Sequence, residues 1–255
     1  MPSILGITSN SIEVGLFGIA MTIEGYIYTF GAIMSGLFLP KIGRIFESEN
    51  YLSKLESLSE KVGFIEFIFV SFVIFGFISV GSDFLTIWLH NSDFYIVYFC
   101  IILISIHQLF YVPQTIMLDA LFYVGKSKEI AFGTIVQAGI NVALSFVLSF
   151  NYGALGAAIS VFLSRIFETI YNNYLYRKYL KLDIFGFFKK TVLPPFLVLV
   201  VSIIIPIAIY YVFPEINVTF RFFIRGFIFV AGFSIIFILF FKKKIVSFIK
   251  GVKTN

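Results

Sequence analysis

The chain has 255 residues, of which 59% are hydrophobic, 20% aromatic and only 13% charged, with a mean hydropathy of +0.98 and a net charge of +5. Such usage lies far outside that of soluble domains and defines a membrane protein; the basic residues are scattered among short loops rather than gathered into a nucleic-acid-binding patch. One cysteine, Cys100, excludes an intrachain disulfide, and no basic segment precedes an apolar core in the way a secretory signal requires.

A hydrocarbon core of about 30 Å takes roughly 20 apolar residues in helical form. By that ruler the chain is an all-α polytopic membrane protein with seven transmembrane helices, near residues 11–39, 62–82, 94–124, 129–150, 153–175, 191–213 and 219–241. Between the first two spans, Leu52, Leu55, Leu58 and Val62 recur at three- and four-residue steps among Ser, Lys and Glu, which predicts an amphipathic helix lying along the membrane face. Tyr179 to Lys190 reads as a second, shorter interfacial piece. The third span is too long for one straight crossing, and Pro113, lacking an N–H, predicts a bend within it.

Phe132 to Tyr179 reads as a helix hairpin turned at Asn151, Tyr152 and Gly153. Its first arm places Gly133, Gln137, Asn141, Ser145 and Ser149 four residues apart, a single polar stripe on an otherwise apolar helix. The second arm repeats small residues at Gly156, Ser160 and Ser164, a pattern that lets helix backbones approach closely in lipid.

Loop charge gives orientation. Lys41, Arg44, Lys54 and Lys61 follow the first span, Lys126 and Lys128 the third, Arg177, Lys178, Lys181, Lys189 and Lys190 the fifth, and Lys242, Lys243, Lys244, Lys250 and Lys253 form the tail; of the alternate loops, only the one near 214–221 has a basic residue, Arg221. The positive-inside rule then makes the tail cytoplasmic and the N-terminus external. An external N-terminus without a signal predicts that another membrane segment once preceded Met1, so the chain is expected to be the C-terminal part of a longer transporter. The reading frame upstream of Met1 tests this: a stop codon and ribosome site immediately upstream count strongly against it. Trp88, Tyr95, Tyr98, Tyr152, Tyr171, Tyr174, Tyr210 and Tyr211 gather at predicted span ends, as aromatic belts do.

Nucleotide-binding and zinc signatures and Asp-rich sugar-nucleotide motifs are absent from the sequence, and two histidines, His90 and His107, with one cysteine offer no multi-ligand metal site. Neither catalysis nor a cofactor is expected. Depth is more informative. At about 1.5 Å of rise per residue, Glu24, His107, Asn141 and Arg165 all reach the bilayer middle, each from a different helix, which predicts a shared polar cavity at the depth where secondary transporters bind. Arg165 reads either as an anion ligand, its guanidinium matching phosphate oxygens, or as an ion-pair partner of Glu168 or Glu24. Glu24 is a candidate coupling-ion site or that pairing partner; His107 and Gln108 line the cavity from the bent helix; Gln137 and Asn141 are interhelical hydrogen-bond donors or ligands. Asp119, Glu66 and Glu13 are expected nearer the interfaces, within reach of water.

Three stretches carry a family resemblance: Val14 to Ala20 leading to Leu39-Pro40; Gly81 to Leu89; and Gly125-Lys126 through Asn141 to Tyr152–Ala158. In order and separation they resemble the C-terminal half of the polysaccharide flippases, the O-antigen or Wzx-type transporters of the superfamily that also holds the MATE drug exporters and the lipid II flippases. His90-Asn91 stands where the family often has a glycine. The resemblance implies two lobes around a central cavity. Residues 1–180 would supply the second lobe without its first helix, and residues 181–255 two additional helices and a basic cytoplasmic tail. It also implies the substrate, an undecaprenyl-pyrophosphate-linked oligosaccharide turned across the bacterial inner membrane by alternating access, with H+ or Na+ as a coupling ion and a missing N-terminal half or other glycan-assembly proteins as partners beside membrane lipids. A cation-coupled exporter of small molecules on the same fold is the alternative. A membrane-embedded glycan polymerase or ligase is a second, although such an enzyme wants a large external loop.

Overall fold

The computed structural model describes residues 2–89 and 94–253, so the His90-Asn91 departure lies outside the described residues. Those residues form helices and no strand. Six helical segments are long and apolar enough to cross a membrane, and the fourth, Ser127–Leu180, folds back on itself, so the polytopic all-α architecture has seven crossings.

After a short α1 (Pro2–Thr8), α2 (Ser11–Phe46) starts at Asn10, whose side chain accepts the Glu13 N–H at 2.9 Å and satisfies one of the orphan donors of the first turn. Next comes α3 (Tyr51–Leu89), one uninterrupted helix of 39 residues. At about 1.5 Å per residue it is roughly 58 Å long, far more than a bilayer core needs. The amphipathic stretch is therefore not a separate helix lying on the membrane face: it forms the first three turns of α3. Leu55, Leu58 and Val62 are buried in one protein core with Ile116, Ala120, Leu180 and Phe187. The stripe has found protein rather than headgroups. At its other end α3 continues past Ser82 to Leu89, which places Asp83 within a helix rather than in a loop.

The third crossing is broken as Pro113 predicts. It runs as α4 (Phe94–Ile106), α5 (Gln108–Tyr111), a 3-10 turn over Val112–Gln114 and α6 (Thr115–Tyr123). Its end is a Schellman cap on Gly125 (φ 75°): the Gly125 N–H donates to the Phe122 carbonyl at 3.0 Å and the Lys126 N–H to the Leu121 carbonyl at 3.0 Å.

The hairpin is α7 (Ser127–Leu175), whose two arms meet at Gly153 (φ 53°, ψ −131°). The arms are zipped along their small and polar stripes. Ser145 and Ser160 hydroxyls lie 2.5 Å apart, Gln137 Nε2 donates to Ser164 Oγ at 3.0 Å, and Tyr171 OH donates to the Glu129 carbonyl at 3.2 Å. A Cβ at Gly156 would come within 2.1 Å of the Leu148 carbonyl, so the backbones touch there as the small-residue repeat requires.

Beyond the hairpin, a π-helical turn (Tyr176–Leu180) ends on Lys181 in the left-handed region, so Tyr179 to Lys190 is not one interfacial helix but a turn followed by the start of the next crossing. That crossing is a succession of short pieces: α8 (Ile184–Phe187), a π-helical turn to Val192, α9 (Leu193–Leu199), a 3-10 turn and α10 (Ile204–Val212). Pro194, Pro195 and Pro206 withdraw N–H groups from its ladder. The last helix, α11 (Val218–Lys253), has two faces. Arg221, Arg225, Phe229 and Phe233 repeat every fourth residue and are buried toward α3, whereas Phe220, Phe223 and Phe227 face outward.

Candidate functional site

The hairpin turn orients the second arm of α7, and two features require glycine at its start. Gly153 has a positive φ, and a Cβ there would lie 1.7 Å from Glu13 Oε2. The Glu13 carboxylate accepts the Ala154 N–H at 2.6 Å, placing negative charge on the N-terminus of the arm that carries Arg165. Glu13 thus has a structural partner within the protein.

Three helical segments then bring a polar cluster together. From α2, Glu24 is buried and its carboxylate accepts a short hydrogen bond from Gln108 Nε2. From the break between α4 and α5, just before the 3-10 turn that contains Pro113, come His107 and Gln108, both buried. His107 Nδ1 lies 2.7 Å from the Ile104 carbonyl, so it carries the proton and donates, leaving Nε2 as the free face of the ring. Gln108 Oε1 likewise has no partner within the protein. From the second arm of α7, Arg165 pairs with Glu168 at 3.7 Å, one turn on, and its guanidinium also acts electrostatically on Glu24 and His107. Tyr111 completes the group, its ring 6.1 Å from that of His107 and 6.2 Å from that of Tyr28.

Glu24, His107, Gln108 and Arg165 therefore share one neighbourhood, joined by Glu168. Gln137 and Asn141 do not reach it in the same way. Gln137 spends its amide on Ser164 in the hairpin seam, and Asn141, half-buried, accepts from Ser145 Oγ at 3.4 Å. Beside the cluster lies a cavity of about 300 Å³ lined by His107 and Asn173 and otherwise mostly by apolar side chains such as Phe110, Phe162 and Ile166. A more open groove of about 650 Å³ shares Ile170, Asn173 and Phe188 with it and ends at Arg177 and Lys178. Among the described residues no group of three or more His, Cys, Asp or Glu side chains is placed to hold a metal.

Two buried charge sites escape a reading by depth. Asp83 is 1% exposed and binds two arginines: Arg221 donates through Nε and Nη2 to Oδ1 at 3.1 and 2.8 Å, and Arg225 Nη1 makes a short contact to Oδ2. Arg225 Nε also donates to the Pro206 carbonyl at 2.8 Å, and the Tyr210 ring stacks on both guanidiniums, 4.7 and 4.8 Å away. Tyr98, another residue near a predicted span end, donates to the Ile78 carbonyl at 2.9 Å. The available signal was Arg225 following Arg221 by one turn inside an apolar span. Glu66 corrects the expectation of an interfacial, watered carboxylate: it is fully buried, with both oxygens against the Thr115 hydroxyl at 2.7 and 2.9 Å. Its burial comes from the packing of the broken third crossing on α3, which a count along one span does not register.

No family profile matches the chain, and neither does any curated protein. Among solved structures it is similar to the lipid II flippase MurJ in an inward closed conformation, with a TM-score of 0.61 and 15% identity over 95% of this chain. The match covers 52% of that protein, so the chain spans about half its length. At this identity the likeness is one of fold.

Proposed function

We propose that the chain is the C-terminal part of a flippase for a lipid-linked oligosaccharide, an undecaprenyl-pyrophosphate-linked O-antigen or capsule repeat unit, moved across the bacterial inner membrane by alternating access. The observation that carries this reading is the buried cluster around Arg165, held by three helical segments of a lobe whose fold is that of a lipid II flippase. Arg165 has a permanent charge and only a long, 3.7 Å contact to Glu168, which leaves guanidinium donors for a pyrophosphate. His107 Nε2 and Gln108 Oε1, unpartnered in the protein, supply further hydrogen-bonding positions beside it. Gln137 and Asn141 hold the second arm in register, and the opposite wall of the cavity comes from a preceding lobe. In this reading the N-terminus is external and the tail cytoplasmic, which the distribution of lysines and arginines supports.

In the complete protein, Arg165→Ala abolishes surface glycan export while the amount of protein in the membrane stays unchanged. Normal export by that variant overturns the assignment. One observation favours a second reading, a cation-coupled exporter: Glu24 and Glu168 put two carboxylates beside one arginine. Glu24→Gln separates the two, because it abolishes export of small cationic drugs if the substrate is a cation, and leaves glycan export dependent only on Arg165 if Glu24 serves as packing.

A further inference from the structure

Glu66 plays no part in the cluster around Arg165, yet among the described residues it is the carboxyl most completely enclosed by the fold. It lies in the middle of α3, is 0% exposed, and makes its hydrogen bonds with Thr115 at the start of α6. One turn earlier, Gly63 brings α3 against the 3-10 turn of the broken crossing so closely that a Cβ would lie 2.4 Å from the Pro113 carbonyl. Glu66 therefore sits at the tightest contact between a continuous helix and an interrupted one.

Its charge environment contains acid and no base. Asp119, one turn after Thr115 on α6, acts on it electrostatically. The other charged groups on α3 and the elements around it are engaged or exposed: Glu60 pairs with Lys190 at 3.1 Å and Glu56 acts on the same lysine, Lys41, Arg44, Lys54, Lys61, Asp183 and Lys189 are exposed, Glu24 is bound to Gln108, Arg165 pairs with Glu168, and Arg221 and Arg225 hold Asp83. Asp83 is 17 residues further along α3, about 25 Å at the rise of an α-helix. Among the described residues no lysine, arginine or histidine forms an ion pair with Glu66. An ionised carboxylate so placed carries a large desolvation cost with nothing to offset it.

The hydrogen-bond geometry makes the same point independently. A threonine hydroxyl has one hydrogen and two lone pairs. Thr115 Oγ1 stands within 2.9 Å of both carboxyl oxygens and can donate its hydrogen to one of them. With an ionised carboxylate the single hydrogen is divided between the two oxygens in a weaker three-centre bond, whereas a carboxyl that brings a hydrogen of its own lets each contact be a full hydrogen bond. We propose that Glu66 is a proton-binding site at the crossing of α3 and α6: its carboxyl holds a proton shared with the Thr115 hydroxyl while the helices are packed, and releasing that proton requires the crossing to loosen. The ligand is a proton rather than a metal ion, because the side chains offer two carboxylates and a hydroxyl and, among the described residues, no third acidic, histidine or cysteine ligand.

Infrared difference spectroscopy of the full chain in lipid nanodiscs tests this, with parent and Glu66→Gln compared at neutral pH and Asp119→Asn as a control. The parent and Asp119→Asn show a carboxylic-acid carbonyl band that Glu66→Gln lacks, and Thr115→Val shifts its frequency by removing the hydrogen bond. On raising the pH the band converts to carboxylate and the parent's melting temperature falls, while that of Glu66→Gln does not. Absence of the band from the parent, its survival in Glu66→Gln, or its loss on adding sodium at constant pH overturns the proposal. If Glu66→Gln does not fold, the Thr115→Val comparison decides alone: an unchanged frequency rejects the site.

Discussion

Single residues in this protein act through what their side chains exclude as much as through what they bind. Gly153 turns the hairpin in a conformation that L side chains rarely adopt, and the space beside its Cα is already filled by the Glu13 carboxylate. Gly153→Ala is therefore expected to destabilise the protein by roughly 1–3 kcal/mol through backbone strain, with the steric clash added to it. Thermal unfolding in detergent measures the loss. Glu13→Gln, which keeps the shape and a hydrogen-bond acceptor, is expected to cost less. Arg165 and Glu66 show two solutions to intramembrane charge: the first keeps a loose partner and free donors, the second has only a hydroxyl. Both residues are visible in the sequence as ionisable groups within or near apolar runs. Their difference is not, because a side chain's partners depend on which way its helix is turned.

At the scale of elements, the decisive contacts join helices far apart in the chain. Asp83 and the two arginines clasp the end of α3 to α10 and α11, and the Tyr210 ring covers the guanidiniums. Replacing Asp83 by Ala leaves two buried cations uncompensated, a change that costs about 3–5 kcal/mol in other buried pairs. The expected result is separation of α11 from α3. Phe72 and Phe233 rings lie 5.1 Å apart across that interface, and Cys100 is buried, so Phe72→Cys with Phe233→Cys gives a selective pair for a short bifunctional maleimide. Cross-linking is efficient in the parent background and falls when Asp83→Ala is added; unchanged cross-linking shows that apolar packing alone holds α11. The repeat of Arg221, Arg225, Phe229 and Phe233 was legible as one face of a helix. The existence of a carboxylate waiting at the end of another helix was not.

For the whole molecule, the described residues form one helical bundle in which α9, α10 and α11 all pack on α3. The likeness in fold to a lipid II flippase spans about half of that protein. Orientation is testable without knowing the substrate. Reporter fusions at the C-terminus are expected to be active in the cytoplasm, and a fusion after Tyr152 outside it, because the basic residues flank alternate loops. An external C-terminus reverses the orientation of every loop. Supplying a separately expressed preceding lobe is expected to restore export only if Arg165 is intact, which ties the activity to this half of the cavity.

The amino-acid sequence alone determined the membrane class, the number of crossings, the break near Pro113 and the two arms of the hairpin with their facing stripes. These follow from composition and from periodicities of three to four residues, which report how one helix meets lipid or its immediate neighbour. Tertiary structure decided which polar groups meet: Glu24 with Gln108, 84 residues apart, Asp83 with Arg221, 138 apart, and Glu66 with Thr115 in a dry core rather than at an interface. Counting from a span end gives depth along one axis. Rotation about that axis, helix overhang beyond the bilayer and pairing across the bundle are set by packing, and they decide whether a buried charge stands loose, clasped or protonated.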